Sequence, residues 1–168
     1  MASTVSDGSG MTPTGVEAVT EHLDAARVAY ELMEHPPTMS ATAEAATTHH
    51  PLSEVAKTVI LQDGDSYVLA VVPASERIDL HKVRGLLGAS KSLQLATEAE
   101  IARDFPALET GAVPPFGPMT PRSEVIDDRL MEADRVLCAG GDHTHSVLVD
   151  PRDVVRMTGA ITADISKD

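Results

Sequence analysis

The seven residues Gly111-Ala112-Val113-Pro114-Pro115-Phe116-Gly117 constrain this chain more than any other stretch. Adjacent prolines fix φ and offer no backbone N–H, so the segment can neither continue a helix nor pair inside a sheet. The flanking glycines reach dihedrals closed to other residues and let the backbone approach a ligand closely. The result is a stiff loop with few functional side chains, suited to recognition by main-chain N–H and C=O groups.

At 168 residues the chain is sized for one domain with a real core. Aromatic residues make up only 2% and tryptophan is absent, so that core has to be built from Val, Leu, Ile, Ala and Met. Cys138 is the sole cysteine, which excludes an internal disulfide and fits a reducing compartment. No apolar run approaches ~18 residues, so no membrane span or membrane partner is expected. The N-terminus lacks a basic stretch followed by an apolar core, so it does not read as a secretory signal, and a cytoplasmic location is expected. The net charge is −13, from 13 Lys+Arg against 26 Asp+Glu. That balance argues against a broad nucleic-acid surface and against DNA as a partner. It leaves room for contact with a short nucleotide end through one lysine and backbone amides.

Residues 1–13 are small and polar and read as a disordered leader, 14–162 as one folded domain and 163–168 as a tail. The spacing Val16, Val19, Leu23, Ala26 predicts an amphipathic helix, followed by a strand over 28–33. Pro36-Pro37 breaks the chain before an Ala-rich helix over 40–47. Thr58–Leu61 and Tyr67–Val72 are β-branched and apolar around Asp63-Gly64-Asp65-Ser66, the pattern of a central β-hairpin. Asp79 can cap a helix ending near Gly88, and Thr97-Glu98-Ala99-Glu100 is a capping box. Short strands are predicted at Leu93 to Leu95, 124–126, 135–138 and 146–149. Asp150-Pro151 then opens a helix running to Met157. The fold class expected is a single compact α/β domain, a mixed, curved β-sheet surrounded by helices.

Lys57 sits in the apolar run Val55-Ala56-Lys57-Thr58-Val59-Ile60-Leu61, where a lysine ordinarily snorkels to solvent. His143 and His145 follow a double glycine, Gly140-Gly141, and strand alternation would put both on one face. A loop histidine is usually a surface residue, yet an imidazole there could also order a water or a substrate group. Cys138 reads as a small buried hydrophobe, and neither Ser66 nor Ser146 has the Gly-x-Ser-x-Gly context of a nucleophile elbow. His49-His50, His143, His145 and Cys138 supply metal-ligand chemistry but no helical His-x-x-x-His spacing, so no metal site is expected.

Taken in order, these segments resemble the YbaK/prolyl-tRNA-synthetase-associated editing-domain family. The resemblance rests on Lys57-Thr58-Val59-Ile60-Leu61 with its hairpin, Gly111 to Gly117, and Gly141-Asp142-His143-Thr144-His145-Ser146. It is extended by His35-Pro36-Pro37-Thr38, Arg77-Ile78-Asp79-Leu80 and Asp150-Pro151-Arg152-Asp153-Val154. The resemblance covers about residues 16–160 and implies the same architecture. The family's members hydrolyse misacylated tRNA, so it implies an aminoacyl-tRNA deacylase acting in trans on a small amino acid, alanine or cysteine, on tRNA-Pro. It implies that Lys57 holds the tRNA 3′ end, a task suited to a compact ammonium. It implies that Gly111 positions the ester carbonyl or attacking water, where an oriented amide is worth roughly 3–4 kcal/mol. It also puts His143, rather than His145, at the functional histidine position. Thr38, Met39 and Ser40 are expected at the rim, with Val113, Pro114, Pro115, Phe116, Gly117, Gly140 and Gly141 lining the substrate site. The implied partners are the 3′ end of an aminoacyl-tRNA and an aminoacyl-tRNA synthetase, with no metal or organic cofactor. Two other readings stand beside this one. One is a catalytically inactive binding module of the same fold that recognises an aminoacylated or nucleotide end; the other is a metal-dependent hydrolase of a small ester.

Overall fold

The chain alternates short helices and strands, and most of its boundaries follow from local hydrogen-bond chemistry. The computed structural model describes residues 12–119, 121 and 123–168, so the expected leader lies outside the described residues except for its last two. Helix α1 (Val16–Ala25) buries Ala18, Val19 and Leu23 on one stripe. It ends with Arg27 at φ 58 and with the Val28 N–H donating to the Leu23 carbonyl at 3.0 Å. That αL exit draws Val28 into the helix terminus, so strand β1 begins later than the sequence predicts, at Tyr30–Glu34.

Ser40 caps helix α2 (Ala41–Thr48) by accepting from the Ala43 N–H at 3.1 Å. Strands β2 (Ala56–Asp63) and β3 (Ser66–Pro73) form the predicted hairpin, with Asp63 opposite Ser66 across Gly64-Asp65. Asp79 caps helix α3 (Leu80–Leu87), and strand β4 (Gln94–Leu95) follows. Both reciprocal bonds of the Thr97/Glu100 capping box open helix α4 (Glu98–Asp104). Strands β5 (Ser123–Asp127), β6 (Val136–Ala139) and β7 (His145–Val149) lead to helix α5 (Pro151–Thr158) and strand β8 (Ile161–Ala163).

The architecture is a single α/β domain, as expected, but its strands form two sheets rather than one. The larger is mixed, ordered β4-β2-β3-β5-β8, with β3, β5 and β8 mutually parallel. The smaller is antiparallel, ordered β1-β7-β6. They meet where Val55, one residue before β2, bridges Leu137 of β6 in parallel. Strand β3 lies at the centre and is buried on both faces. Leu69 and Val71 join the core shared with Val19, Phe116 and Val147, while Val68, Ala70 and Val72 join the one shared with Val83, Leu93 and Ile165.

Residues 163–168, which the sequence marks as a tail after the domain, pack against it. Ala163 ends β8, Ile165 and Ser166 are fully buried, and the Lys167 N–H donates to the Arg77 carbonyl at 2.7 Å. The buried Asp127 carboxylate draws this segment in, which a reading of local polarity misses.

Candidate active site

Strand β2, helix α2 and the glycine-proline loop enclose a small cavity of about 120 Å³ at the seam between the sheets. Its walls are apolar and mostly short: Ala41, Ala56, Ala139, Val113, Ile60 and Ile101. Three polar side chains and one glycine complete the lining: Lys57, Thr58, Glu44 and Gly111. Lys57 stands opposite Val72 in the hairpin, and its Nζ donates to the Glu76 carbonyl at 3.1 Å. Burial, and secondarily the neighbouring Arg77 guanidinium, pull its pKa below the usual lysine value. The Thr58 hydroxyl is buried without a hydrogen-bond partner among the described residues. An orphaned hydroxyl on a cavity wall is free to bond a ligand.

Gly111 has φ +89, a region that side chains rarely adopt. A Cβ there would stand 3.5 Å from Cε1 of His143 and 3.7 Å from the Met39 carbonyl oxygen, so the imidazole borders the space a side chain would take at this position. The loop is anchored on both sides: Ala112 N–H donates to Glu109 O at 2.9 Å, and Gly141 N–H to Ala112 O at 3.1 Å. Of its remaining residues only Val113 reaches the cavity. Pro114 is buried, Pro115 faces a crevice with Val71, Ile126 and Val136, and Phe116 and Gly117 line a separate cavity with Glu124. The second half of the loop is therefore built into the core, not turned toward Lys57.

His143 lies in the turn before β7, not on the strand, so the expected alternation with His145 does not apply. Its Nδ1 donates to the Thr38 carbonyl at 3.0 Å, and its own carbonyl accepts from the Thr38 N–H at 2.9 Å. Glu109 accepts from the His143 backbone N–H at 2.9 Å. His145 is turned to Asp142, 2.8 Å away, with Glu34 at 3.6 Å. Burial works to raise the Asp142 carboxyl, but hydrogen bonds from His145 and Thr144 outweigh it and hold that pKa below its ordinary value. Thr38 thus positions His143, Met39 is 70% exposed above Gly111, and Ser40 is engaged in capping α2.

Gly140 and Gly141 do not line this cavity. A Cβ on Gly140 would meet the His145 carbonyl oxygen at 2.7 Å, and one on Gly141 would meet the Gly15 oxygen at 2.5 Å. Both are glycines because backbone packs against them.

Sequence reasoning missed the group beneath the cavity. Glu44, only 5% exposed, accepts from the buried Ser146 hydroxyl, and Ser146 Oγ lies 2.8 Å from Nε2 of His35. His35 Nδ1 donates to the Pro36 carbonyl at 2.8 Å. Burial raises the Glu44 carboxyl, while Ser146 and His35 pull the other way. The only sequence signal was a lone acid in an Ala-rich helix. Among the described residues no three His, Cys, Asp or Glu side chains come together to hold a metal ion. No helix among them is long and apolar enough to cross a membrane.

The chain is similar to known proteins in sequence and in fold. The prolyl-tRNA editing protein ProX of Acetoanaerobium sticklandii is 27% identical over 150 residues, covering 86% of this chain and 90% of that protein. The solved structure of the hypothetical protein APE2540 superposes with a TM-score of 0.82 at 27% identity, over 90% of this chain and all (100%) of that one. A protein described as a candidate trans-editing enzyme for prolyl-tRNA synthetase has the same fold, with a TM-score of 0.81 at 24% identity over 95% of this chain and 100% of its own. Residues 35–157 match the aminoacyl-tRNA editing domain, a span that runs from His35 past Lys57, Gly111 and His143, and the chain belongs to that family.

Proposed function

We propose that this chain is a trans-editing deacylase that hydrolyses the ester between a small amino acid, alanine or cysteine, and tRNA-Pro. The reaction class follows from the family: the chain is an aminoacyl-tRNA deacylase. The observation that carries the finer reading is that Lys57 and Gly111 open onto one small alanine-walled cavity, with the His143 imidazole beside the place where a side chain on Gly111 would stand. A space of about 120 Å³ walled mostly by alanine and other short apolar side chains suits a short amino-acid side chain. The tRNA identity rests on the relative named as a prolyl-tRNA editing protein.

In this reading Lys57 holds the 3′-terminal nucleotide and the Gly111 backbone aligns the ester carbonyl. Water bonds the carbonyl carbon, Nε2 of His143 accepts the water proton, and the ribose oxygen leaves as a hydroxyl on receiving a proton. The substrate's adjacent ribose hydroxyl shares that transfer. The chemistry needs no metal or organic cofactor, and the site belongs in the cytoplasm, where aminoacyl-tRNA and its synthetase meet.

The test is deacylation of a panel of mischarged tRNAs by wild type and Lys57→Ala. Rapid loss of alanyl- or cysteinyl-tRNA-Pro, reduced at least 100-fold by the substitution, is expected. A folded protein that turns over none of the panel would overturn the assignment.

A further inference from the structure

The chain carries 26 acids against 13 Lys+Arg, and six of those cations sit beside carboxylates of described residues. Lys82, Arg103, Arg129, Arg135, Arg152 and Arg156 each lie within 3.2 Å of an Asp or Glu oxygen. Arg77 and Lys167 do not: both are exposed, and neither side chain has a hydrogen bond or ion pair with a described residue. With Lys57 and His81 they line one open groove of about 450 Å³. The acid in that groove, Asp79, is engaged at the start of α3, where it accepts from the His81 and Lys82 N–H groups. Lys57 lines both this groove and the alanine-walled cavity, so the two adjoin at that residue. Arg77 is close enough to Lys57 to depress its pKa, and the groove gathers three cations, Lys57, Arg77 and Lys167, around one carboxylate, Asp79. In so acidic a chain, a groove with an excess of cations is matched to an anionic ligand.

We infer that this groove receives the backbone phosphates of the single-stranded 3′ end of the tRNA, with Arg77 and Lys167 facing nucleotides upstream of the one that Lys57 holds. The inference rests on the deacylase reading for its ligand. It adds a path: the ester enters beside Gly111, and the strand leaves over β2 toward the start of α3 and the chain's C-terminal residues. Few cations suffice because a single strand presents its phosphates one after another, and the acidic remainder of the surface repels nonspecific RNA.

The experiment measures binding of an uncharged RNA minihelix ending in single-stranded CCA, across a potassium chloride series. The proteins are wild type, Arg77→Gln, Lys167→Gln and, as a control, Arg27→Gln, an exposed cation outside the groove. Each groove variant is expected to weaken binding at least threefold and to flatten the log–log salt slope by roughly 0.7 per lost phosphate contact. Arg27→Gln is expected to match wild type. Lys167→Gln serves as the second variant because Arg77 also acts on Lys57. Unchanged affinity and slope in both groove variants would overturn the inference. So would loss of binding to a polyglutamate peptide with RNA binding intact, which would make the groove a dock for an acidic protein. Binding is read without turnover, so an inactive wild type would sink the deacylase reading and leave this result standing.

Discussion

The Nδ1 of His143 donates to the carbonyl of Thr38 at 3.0 Å, and that one bond fixes which nitrogen can do chemistry. A carbonyl only accepts, so Nδ1 carries the proton and the neutral ring presents its lone pair at Nε2. His145 also has its Nδ1 against an acceptor, Asp142 at 2.8 Å, but its Nε2 faces Glu34 at 3.6 Å. His143→Ala is expected to lower kcat for deacylation about 100-fold, the usual scale of a lost general base. His145→Ala is expected to lower Tm and leave kcat within a few-fold. Equal losses of kcat in single-turnover assays would place the functional nitrogen elsewhere.

Ser146 joins Glu44 to His35 under the cavity, and all three were placed there by long-range packing. Ser146→Ala removes the hydroxyl both neighbours use and leaves a buried carboxyl without its donor. The expected cost is about 1–3 kcal/mol in urea unfolding. Glu44→Gln keeps an acceptor for Ser146 and is expected to be milder. A Ser146→Ala protein as stable as wild type would show that the trio contributes nothing to the floor of the site.

What could be read from the sequence follows the range of the physics. The Asp63-Gly64-Asp65-Ser66 turn, the Asp79 cap and the Thr97/Glu100 box are settled within four residues of chain, and each formed where local rules put it. Strand β8 is three residues long and pairs in parallel with β5, more than thirty positions away, so it left no local pattern. The division into two sheets turns on the Val55–Leu137 bridge, another distant pairing. Lys57 and Gly111 were legible because their segments are unusual; that they share one cavity with Val113 is a fact of tertiary structure. Gly140 and Gly141 misled for a physical reason. Absence of a Cβ serves close backbone packing as well as ligand approach, and here it serves packing.

Glu124 gives the fold a built-in pH dependence. It lines a cavity of about 360 Å³, is 7% exposed, and its Oε2 has no hydrogen-bond partner among the described residues. Burial pushes its pKa from the ordinary 4.5 to about 8. The native state therefore holds this proton more tightly than the unfolded chain does. Its stabilising share is intact below pH 4.5 and is lost as pH rises through about 8. Glu124→Gln is neutral throughout, so its stability relative to wild type should grow across that window by a few kcal/mol and then level off. Urea unfolding at pH 5, 7 and 9 measures the difference; a constant offset would contradict the burial argument.

Asp127 is fully buried and ties the last residues of the chain to the core. Its Oδ2 accepts from the Ile165 N–H at 3.0 Å and the Ser166 hydroxyl at 2.8 Å, while Oδ1 accepts from the Arg129 N–H at 2.9 Å. Burial alone would raise this carboxyl, but the hydrogen bonds outweigh it and hold its pKa below the ordinary value. Its stabilisation is thus present above the unfolded pKa and lost as pH falls through the folded one. Asp127→Ala leaves three donors without their acceptor and is expected to cost about 3 kcal/mol. Truncation after Ala163 removes Ile165 and Ser166 together and is expected to cost as much. Because both changes break the same bonds, the double variant should lose clearly less than the sum of the two. Additive losses in urea unfolding would mean that the carboxylate and the C-terminal segment stabilise the domain independently.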